Sequence, residues 1–215
     1  MRNTWLLLFS SSIALAGCGG IPSVPYVDPT QAENTARVRV ITNSSVFGDS
    51  VTGSCAPGTR HKMAEAGRFS EDGQPSINYP QYPLKPAILG MPGRVSPKLQ
   101  QYIGAVRMAE GLYTEMVAEY RVKTDTPFQI ATLGASAGSY GSTYAVCPGQ
   151  AKVFNLEPGK DYEALVGFGR APNADGNVVL VCMFGVVELA SVPNLPFALP
   201  KRLAGSESPQ TLCKG

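Results

Sequence analysis

Residues 116–133 read MVAEYRVKTDTPFQIATL, and this stretch decides the fold. Within Met116–Lys123, small or apolar residues at the even positions alternate with Val, Glu, Arg and Lys at the odd ones. This period of two is typical of a half-buried β-strand. A Lys-Thr-Asp turn leads into a second strand-like run at 126–133, and a connection this short predicts a β-hairpin.

The same alternation recurs on both sides of this pair. Upstream, residues 36–42 place Arg37 and Arg39 between valines, as expected for another half-buried strand. The run 178–189 is strongly apolar and predicts a central strand buried on both faces, with Cys182 inside. Further strands are predicted at 140–147, 152–156 and 162–168. We therefore expect a mainly β protein, an antiparallel β-sandwich of immunoglobulin-like or transthyretin-like character.

Residues 55–97 interrupt this pattern as a long irregular insertion rich in Gly and Pro. It contains the sequence YPQYP at 79–83, in which prolines hold Tyr79 and Tyr82 at low entropic cost. These two tyrosines form a candidate binding loop, and packing of their rings over the sandwich is the favoured interpretation. After the insertion, Ser96 and Pro97 are suited to start a helix, which we predict over 98–110.

The N-terminus has the organisation of a lipoprotein export signal. A basic residue and an apolar run too short to span a bilayer precede the sequence LAGC at residues 15–18. This predicts a signal peptide at 1–17 and lipidation of Cys18, with diacylglycerol on the thiol and an acyl chain such as palmitate on the amine. Three acyl chains would hold the protein permanently on a membrane. The alternatives are an ordinary secretory signal and a buried N-terminal helix.

The residue after Cys18 indicates which bacterial membrane would hold the lipid anchor. Gly19 stands where an Asp would retain a lipoprotein in the inner membrane of enteric-type bacteria. The expected location is thus the outer membrane, facing the periplasm. Residues 18–34 are rich in Gly and Pro and predict a flexible tether between this anchor and the folded body.

Composition limits the remaining possibilities. The chain has 215 residues and a net charge of +2, and its basic groups, such as Lys201-Arg202, are too small for a nucleic-acid partner. We expect one sandwich domain at 35–190, carrying the insertion, and a Pro-rich C-terminal tail over the surface at 191–215.

Four cysteines remain besides Cys18, an even number that suits an oxidising compartment. Three pairings are possible, and the sequence does not choose among them. One of them joins two neighbouring predicted strands through Cys147 and Cys182, which leaves Cys55 to pin the tail at Cys213. A zinc site is not expected, since there is no Cys-x-x-Cys pair and a single histidine.

A set of short segments and single cysteines in this sequence carries a resemblance to a known class of protein. They are LGMP at 89–92, EYRV at 119–122, Cys147, FNLEPGKDYE at 154–163 and Cys182. In this combination the chain resembles uncharacterised bacterial envelope lipoproteins. The resemblance implies the fold and the location, and it brings no catalytic residues.

One segment resembles a catalytic motif. GASAG at 134–138 matches the Gly-x-Ser-x-Gly pattern of a nucleophile elbow around Ser136, but the one histidine, His61, precedes the serine and a strand pattern follows it. We interpret His61 as a solvated loop residue. Asp161 and Glu163 share one face of a predicted strand, which a polar outer face explains.

The leading hypothesis is therefore a non-enzymatic outer-membrane lipoprotein without cofactor or metal. It is attached to the membrane by its lipid and binds or scaffolds another envelope component, with a protein as the expected partner. The alternative is a small-ligand or glycan binder that uses the 55–97 insertion, and a remote alternative is a serine hydrolase built on Ser136.

Overall fold

The computed structural model describes residues 21–70, 72–99, 106–108, 111–137, 145–192, 197–209 and 211–213. The predicted signal peptide and Cys18 lie outside these ranges. The described residues are mainly β and form two large sheets and two small ones, which confirms the predicted sandwich-like fold class. No helix among them is both long and apolar enough to cross a membrane.

The sheets combine strands from distant parts of the chain. In chain order the strands are β1 (Ser23–Pro25), β2 (Thr35–Thr42), β3 (Ser45–Ser50), β4 (Arg60–Glu65), β5 (Arg68–Phe69), β6 (Val106–Met108), β7 (Gly111–Tyr113), β8 (Met116–Lys123), β9 (Phe128–Thr132), β10 (Ala135–Ala137), β11 (Ala145–Cys147), β12 (Gln150–Phe154), β13 (Asp161–Pro172), β14 (Val178–Ser191), β15 (Ala198–Arg202) and β16 (Ser206–Glu207). The first sheet has the order β1-β4-β3-β9-β12-β16 and the second β15-β14-β13-β2-β8. The small sheets are β5-β7-β6 and β10-β11. Pairing is antiparallel apart from the parallel pairs β1–β4 and β2–β13.

The main core lies between the two large sheets. Val38 of β2 and Val122 of β8 contribute to it from the second sheet, and Val46 of β3 and Ile130 of β9 from the first. All four side chains are fully buried. Val38 and Val122 agree with the phase of the alternation in the sequence, so the inward faces of β2 and β8 were predicted correctly.

The connection between β8 and β9 does not form the predicted hairpin. β8 pairs with β2 in the second sheet, while β9 pairs with β3 and β12 in the first. Residues 124–127 therefore cross from one sheet to the other. A short turn is compatible with either path, because stacked sheets lie only about 10 Å apart.

The insertion at 55–97 is only partly irregular. Its residues 60–65 form β4, which lies inside the first sheet between β1 and β3. Residues 84–99, which we call the strap, begin along the edge of the second sheet, where Glu119 N of β8 donates to Ala87 O at 3.0 Å, and continue over its outer face, where Leu99 packs against Ile41. The outer face of β2, expected to be solvated, is therefore covered.

Two other secondary-structure predictions are wrong where the structure describes them. The helix predicted over 98–110 falls mostly outside the described residues, but its residues 106–108 form β6, which pairs with β7. β14 is not buried on both faces as predicted: residues 178–185 include no buried residue, and Cys182 is exposed rather than inside. β15 pairs only with the end of β14, at residues 187–191.

Both ends of the described chain are fastened to the sandwich. From residue 21 onward the predicted flexible tether is docked, with β1 on the edge of the first sheet. The predicted C-terminal tail supplies β15 to one large sheet and β16 to the other. The disulfides are Cys55–Cys213, with Cα atoms 5.0 Å apart, and Cys147–Cys182, at 5.6 Å.

Candidate functional site

A groove of about 670 Å³ lies at one end of the sandwich, where β4 ends and the insertion begins its irregular part. Tyr79 and Tyr82, the two residues of the predicted binding loop, both line it. Tyr113 and Phe168 line the groove from the body of the domain. The structure thus brings the two predicted tyrosines together with aromatic residues that are distant in sequence.

Backbone hydrogen bonds hold the tyrosine-bearing wall of the groove. Glu65 N donates to Tyr82 O at 2.8 Å, and Tyr82 N donates to Glu65 O at 2.9 Å. Three residues further along, Arg68 N donates to Tyr79 O at 3.0 Å. A Cβ on Gly67 would lie 2.8 Å from Gln81 N, so the close approach of the two segments requires glycine there. The wall is therefore fixed in the same way as an added strand.

The Arg68 guanidinium lies between two tyrosine rings of this groove. Its Cζ atom is 3.6 Å from the centroid of Tyr79 and 4.8 Å from that of Tyr113. Tyr113 in turn meets Phe168 edge-on, with centroids 5.5 Å apart. A cation over an aromatic face contributes roughly 0.5–2 kcal/mol. The stack therefore orients both the cation and Tyr79, whose side chain remains 41% exposed.

The polar groups of the groove are mixed in character. Lys62 and Glu65 form an ion pair on β4. Asn78 and Gln81 contribute amide side chains, and Ser44 contributes a hydroxyl. Donors, acceptors and aromatic faces therefore surround one open space, which is the usual composition of a site that binds a polar organic ligand.

His61 lies in strand β4 and not in a solvated loop as predicted. Its Nδ1 atom is 2.6 Å from Asp49 Oδ1, and its backbone N donates to the same oxygen at 3.1 Å. Asp49 is 3% exposed. Burial raises the pKa of the Asp49 carboxyl, and the hydrogen bonds from His61 oppose that shift. This pair fixes the imidazole ring at a second groove, beside β1.

Ser136 does not lie on the kind of turn that the Gly-x-Ser-x-Gly motif requires. It is the middle residue of β10, opposite Val146 in a two-stranded sheet. A nucleophile elbow instead places its serine between a strand and a helix. His61, the histidine that such a site would need, belongs to the first large sheet.

A buried ion network that the sequence analysis missed lies beneath the strap. Arg39 Nη2 donates to Glu119 at 2.8 Å, and Nη1 donates to Glu163 at 3.1 Å. All three residues are at most 6% exposed. The strap closes over them, with Arg39 Nη2 donating to Pro92 O at 2.7 Å and Leu89 N donating to Glu119. The network fastens the strap to the sheet.

The charges of this network were visible in the sequence, but their burial was not. Arg37 and Arg39, like Asp161 and Glu163, are spaced two apart on one face of a strand. Glu119 has the same phase on β8, and the register places it opposite Arg39. On three strands, the alternate positions that share one face of the sheet thus carry both positive and negative charges. This is the signal that could have indicated a covered face.

Comparisons with protein-family models, with curated proteins and with solved structures find no match to this chain. Within the described ranges, His, Cys, Asp and Glu side chains form no group of three or more able to hold a metal ion.

Proposed function

We propose that the protein is a non-enzymatic, lipid-anchored lipoprotein of the bacterial outer membrane that faces the periplasm and binds another component of the cell envelope. The observation that carries this proposal is the groove whose wall holds Tyr79 and Tyr82. Its backbone is fixed before any ligand arrives, and a preformed concave surface with aromatic rings and a few polar groups is the usual form of a binding site.

The lipid anchor proposed at Cys18 supports a role in binding. A protein confined to a membrane meets other components of the same compartment at a high effective concentration. A groove of modest intrinsic affinity is sufficient under that condition. The two disulfides support export to an oxidising compartment, which the envelope provides.

Crosslinking in intact cells tests the binding role. The double variant Tyr79→Ala/Tyr82→Ala removes the aromatic wall, and Phe197→Ala is the control, because Phe197 is a large side chain of similar exposure (51%) outside the groove. We expect one envelope component to copurify in stoichiometric amount with the wild type and with the control, and to be lost from the double variant. Identical crosslinked products from all three proteins would refute the role of the groove.

Cell fractionation tests the anchor separately. Cys18→Ser removes the thiol that would carry the diacylglycerol, so we expect the variant to leave the membrane fraction. Alkaline extraction of the membranes distinguishes a lipid anchor from attachment through a bound partner. Retention of the Cys18→Ser protein in the extracted membranes would refute the lipid anchor without bearing on the groove.

A further inference from the structure

The segment that follows the proposed lipid anchor is docked along β4. β1 pairs in parallel with the first half of β4, in the register Ser23↔Arg60. Arg60 N donates to Pro22 O at 2.8 Å, and Tyr26 N donates to Lys62 O at 2.9 Å. The tether therefore joins the domain at the beginning of β4.

Side chains fasten the same segment to the sandwich. The Tyr26 hydroxyl donates to Arg121 O at 2.9 Å, and its ring lies edge-on to Tyr120 and Phe128 at 5.5 and 6.1 Å. Arg121 N donates to Asp28 at 3.2 Å. Undocking the tether would break all of these contacts. Only the four residues 19–22 then separate Cys18 from Ser23 at the start of β1, and the five steps between those two Cα atoms span at most about 18 Å.

The groove lies at the other end of β4. From Arg60 the strand runs to Glu65, a rise of about 17 Å. Glu65 carries the backbone bonds to Tyr82 in the groove wall. The tether is thus attached at the Arg60 end of β4, and the groove lies at the opposite, Glu65 end. In the orientation that places the Arg60 end nearest the lipid, the groove faces away from the anchoring membrane.

The groove's side chains suit a saccharide. Tyrosine rings offer rigid faces on which the C–H side of a sugar ring can stack, and tyrosine loses little conformational entropy on binding. Asn78, Gln81 and the hydroxyl of Ser44 offer both donors and acceptors for sugar hydroxyl and acetamido groups. The volume, about 670 Å³, is in the range of small-ligand sites.

From position and chemistry together, we infer that the groove binds a glycan strand of the cell wall, on the side of the protein directed away from its membrane. This inference rests on the proposed function, because the lipid anchor defines which side faces the membrane. The other envelope molecules that could occupy the groove, a protein or an anionic lipid headgroup, are separated from it by the following experiment.

Cosedimentation with insoluble peptidoglycan tests this inference. The lipidated protein, purified whole in mild detergent, is mixed with peptidoglycan sacculi, and the bound fraction is measured with and without soluble chitotetraose. We expect retention of the wild type and competition by chitotetraose. Tyr79→Ala and Tyr82→Ala should each weaken binding about tenfold or more, as for aromatic residues at the centre of a binding site.

Two further variants separate binding from folding. Tyr79→Phe keeps the ring that stacks on Arg68 and should retain most of the affinity. Phe197→Ala, outside the groove, should bind as the wild type does. Far-ultraviolet circular dichroism on each variant identifies any that fail to fold, and the tyrosine-to-alanine variant that does fold then tests the loss of binding.

Three results would overturn the inference. They are no retention of the wild type on sacculi, retention that both tyrosine-to-alanine variants keep, and tyrosine-dependent binding to phosphatidylglycerol vesicles in place of sacculi. In the crosslinking experiment, a partner that is lost from the Tyr79→Ala/Tyr82→Ala variant depends on the groove. If one of the three results occurs and such a partner is still found, the inferred glycan ligand is wrong and the proposed function stands. If crosslinking also shows no dependence on the groove, the proposed function fails as well.

Discussion

Replacing Arg39 with methionine tests the ion network beneath the strap. Methionine approximates the length of the side chain but donates no hydrogen bonds, so Glu119 and Glu163 would keep their buried positions without the cation between them. These carboxylates have side-chain exposures of 3% and 1%. Removing one partner of a buried ion pair costs roughly 3–5 kcal/mol, because the remaining charge is uncompensated.

Urea unfolding followed by circular dichroism measures this cost as a loss of unfolding free energy. Thermal unfolding measures it as a lower melting temperature. For a domain of this size, each kcal/mol lowers the melting temperature by roughly 2–4 °C, so Arg39→Met should melt roughly 6–20 °C below the wild type. Arg37→Met is the comparison for burial: Arg37 lies on the same face of the same strand and also donates to the strap, at Leu89 O, but its side chain is 34% exposed and its pair with Asp161 is partly solvated. That loss should stay near or below about 1 kcal/mol. If Arg39→Met costs no more than Arg37→Met, the network does not fasten the strap.

Three further predictions concern the sandwich itself. Asp49→Asn should lose more stability relative to the wild type at pH 3 than at pH 8 in urea unfolding. Burial raises the pKa of the Asp49 carboxyl in the folded protein. The contribution of Asp49 to stability is therefore present below its unfolded-state pKa and is lost as the pH rises through its folded-state pKa. Equal losses of stability at both pH values would contradict this prediction. Gly48→Ala should destabilise by roughly 1–3 kcal/mol or more, since the new Cβ would lie 2.2 Å from Met63 Sδ, while Gly185→Ala, with nothing within 4 Å, should melt as the wild type does. Replacing both cysteines of a disulfide with serine should lower the free energy of unfolding by roughly 5 kcal/mol for Cys55–Cys213, of sequence separation 158, and by roughly 4 kcal/mol for Cys147–Cys182, of separation 35. A urea midpoint of the wild type that does not change when reductant is added would refute both values.

The strands that form the core were predictable because their pattern is local. In β2 and β8 every second residue is apolar, and those residues face the other sheet. The same pattern does not tell what covers the opposite face. Arg39 looks like a solvated residue in the sequence, and it is buried because the strap, some fifty residues later in the chain, crosses the sheet at that point. Burial of this kind is a tertiary effect without a periodic signal.

The wrong predictions share one cause, the choice of partner strand. The apolar run of β14 suggested a central position, but the strand outruns its neighbour β15. Residues 106–108 have a helix-compatible composition, yet pairing with β7 makes them a strand, an override of weak propensity by tertiary context. β1, β5 and β16, each of three residues or fewer, are too short to show any alternation.

The candidate site was half predictable. Tyr79 and Tyr82 stand out because prolines flank them, and the structure places both in the groove. Arg68 carries no such signal: it is one arginine in an irregular stretch, and its role follows from Tyr113, 45 positions further on, which lies on the other side of its guanidinium. A cation held between two rings from separate segments can be recognised only once the segments are brought together.

The two halves of the insertion are held to the sandwich by different contacts, so effects on stability and on ligand binding can be measured separately. The groove wall at Tyr79 and Tyr82 is held by backbone bonds to Glu65 in the first sheet and to Arg68 in the small sheet β5-β7-β6. The strap is held by Arg39 and its glutamates, on the outer face of the second sheet. Energetic effects of distant sites without shared partners add. Arg39→Met, measured well below its melting temperature, should therefore keep wild-type affinity for peptidoglycan, whereas Tyr79→Ala should lose affinity with a smaller loss of stability. A parallel loss of affinity in Arg39→Met would show that strap and groove act as one unit.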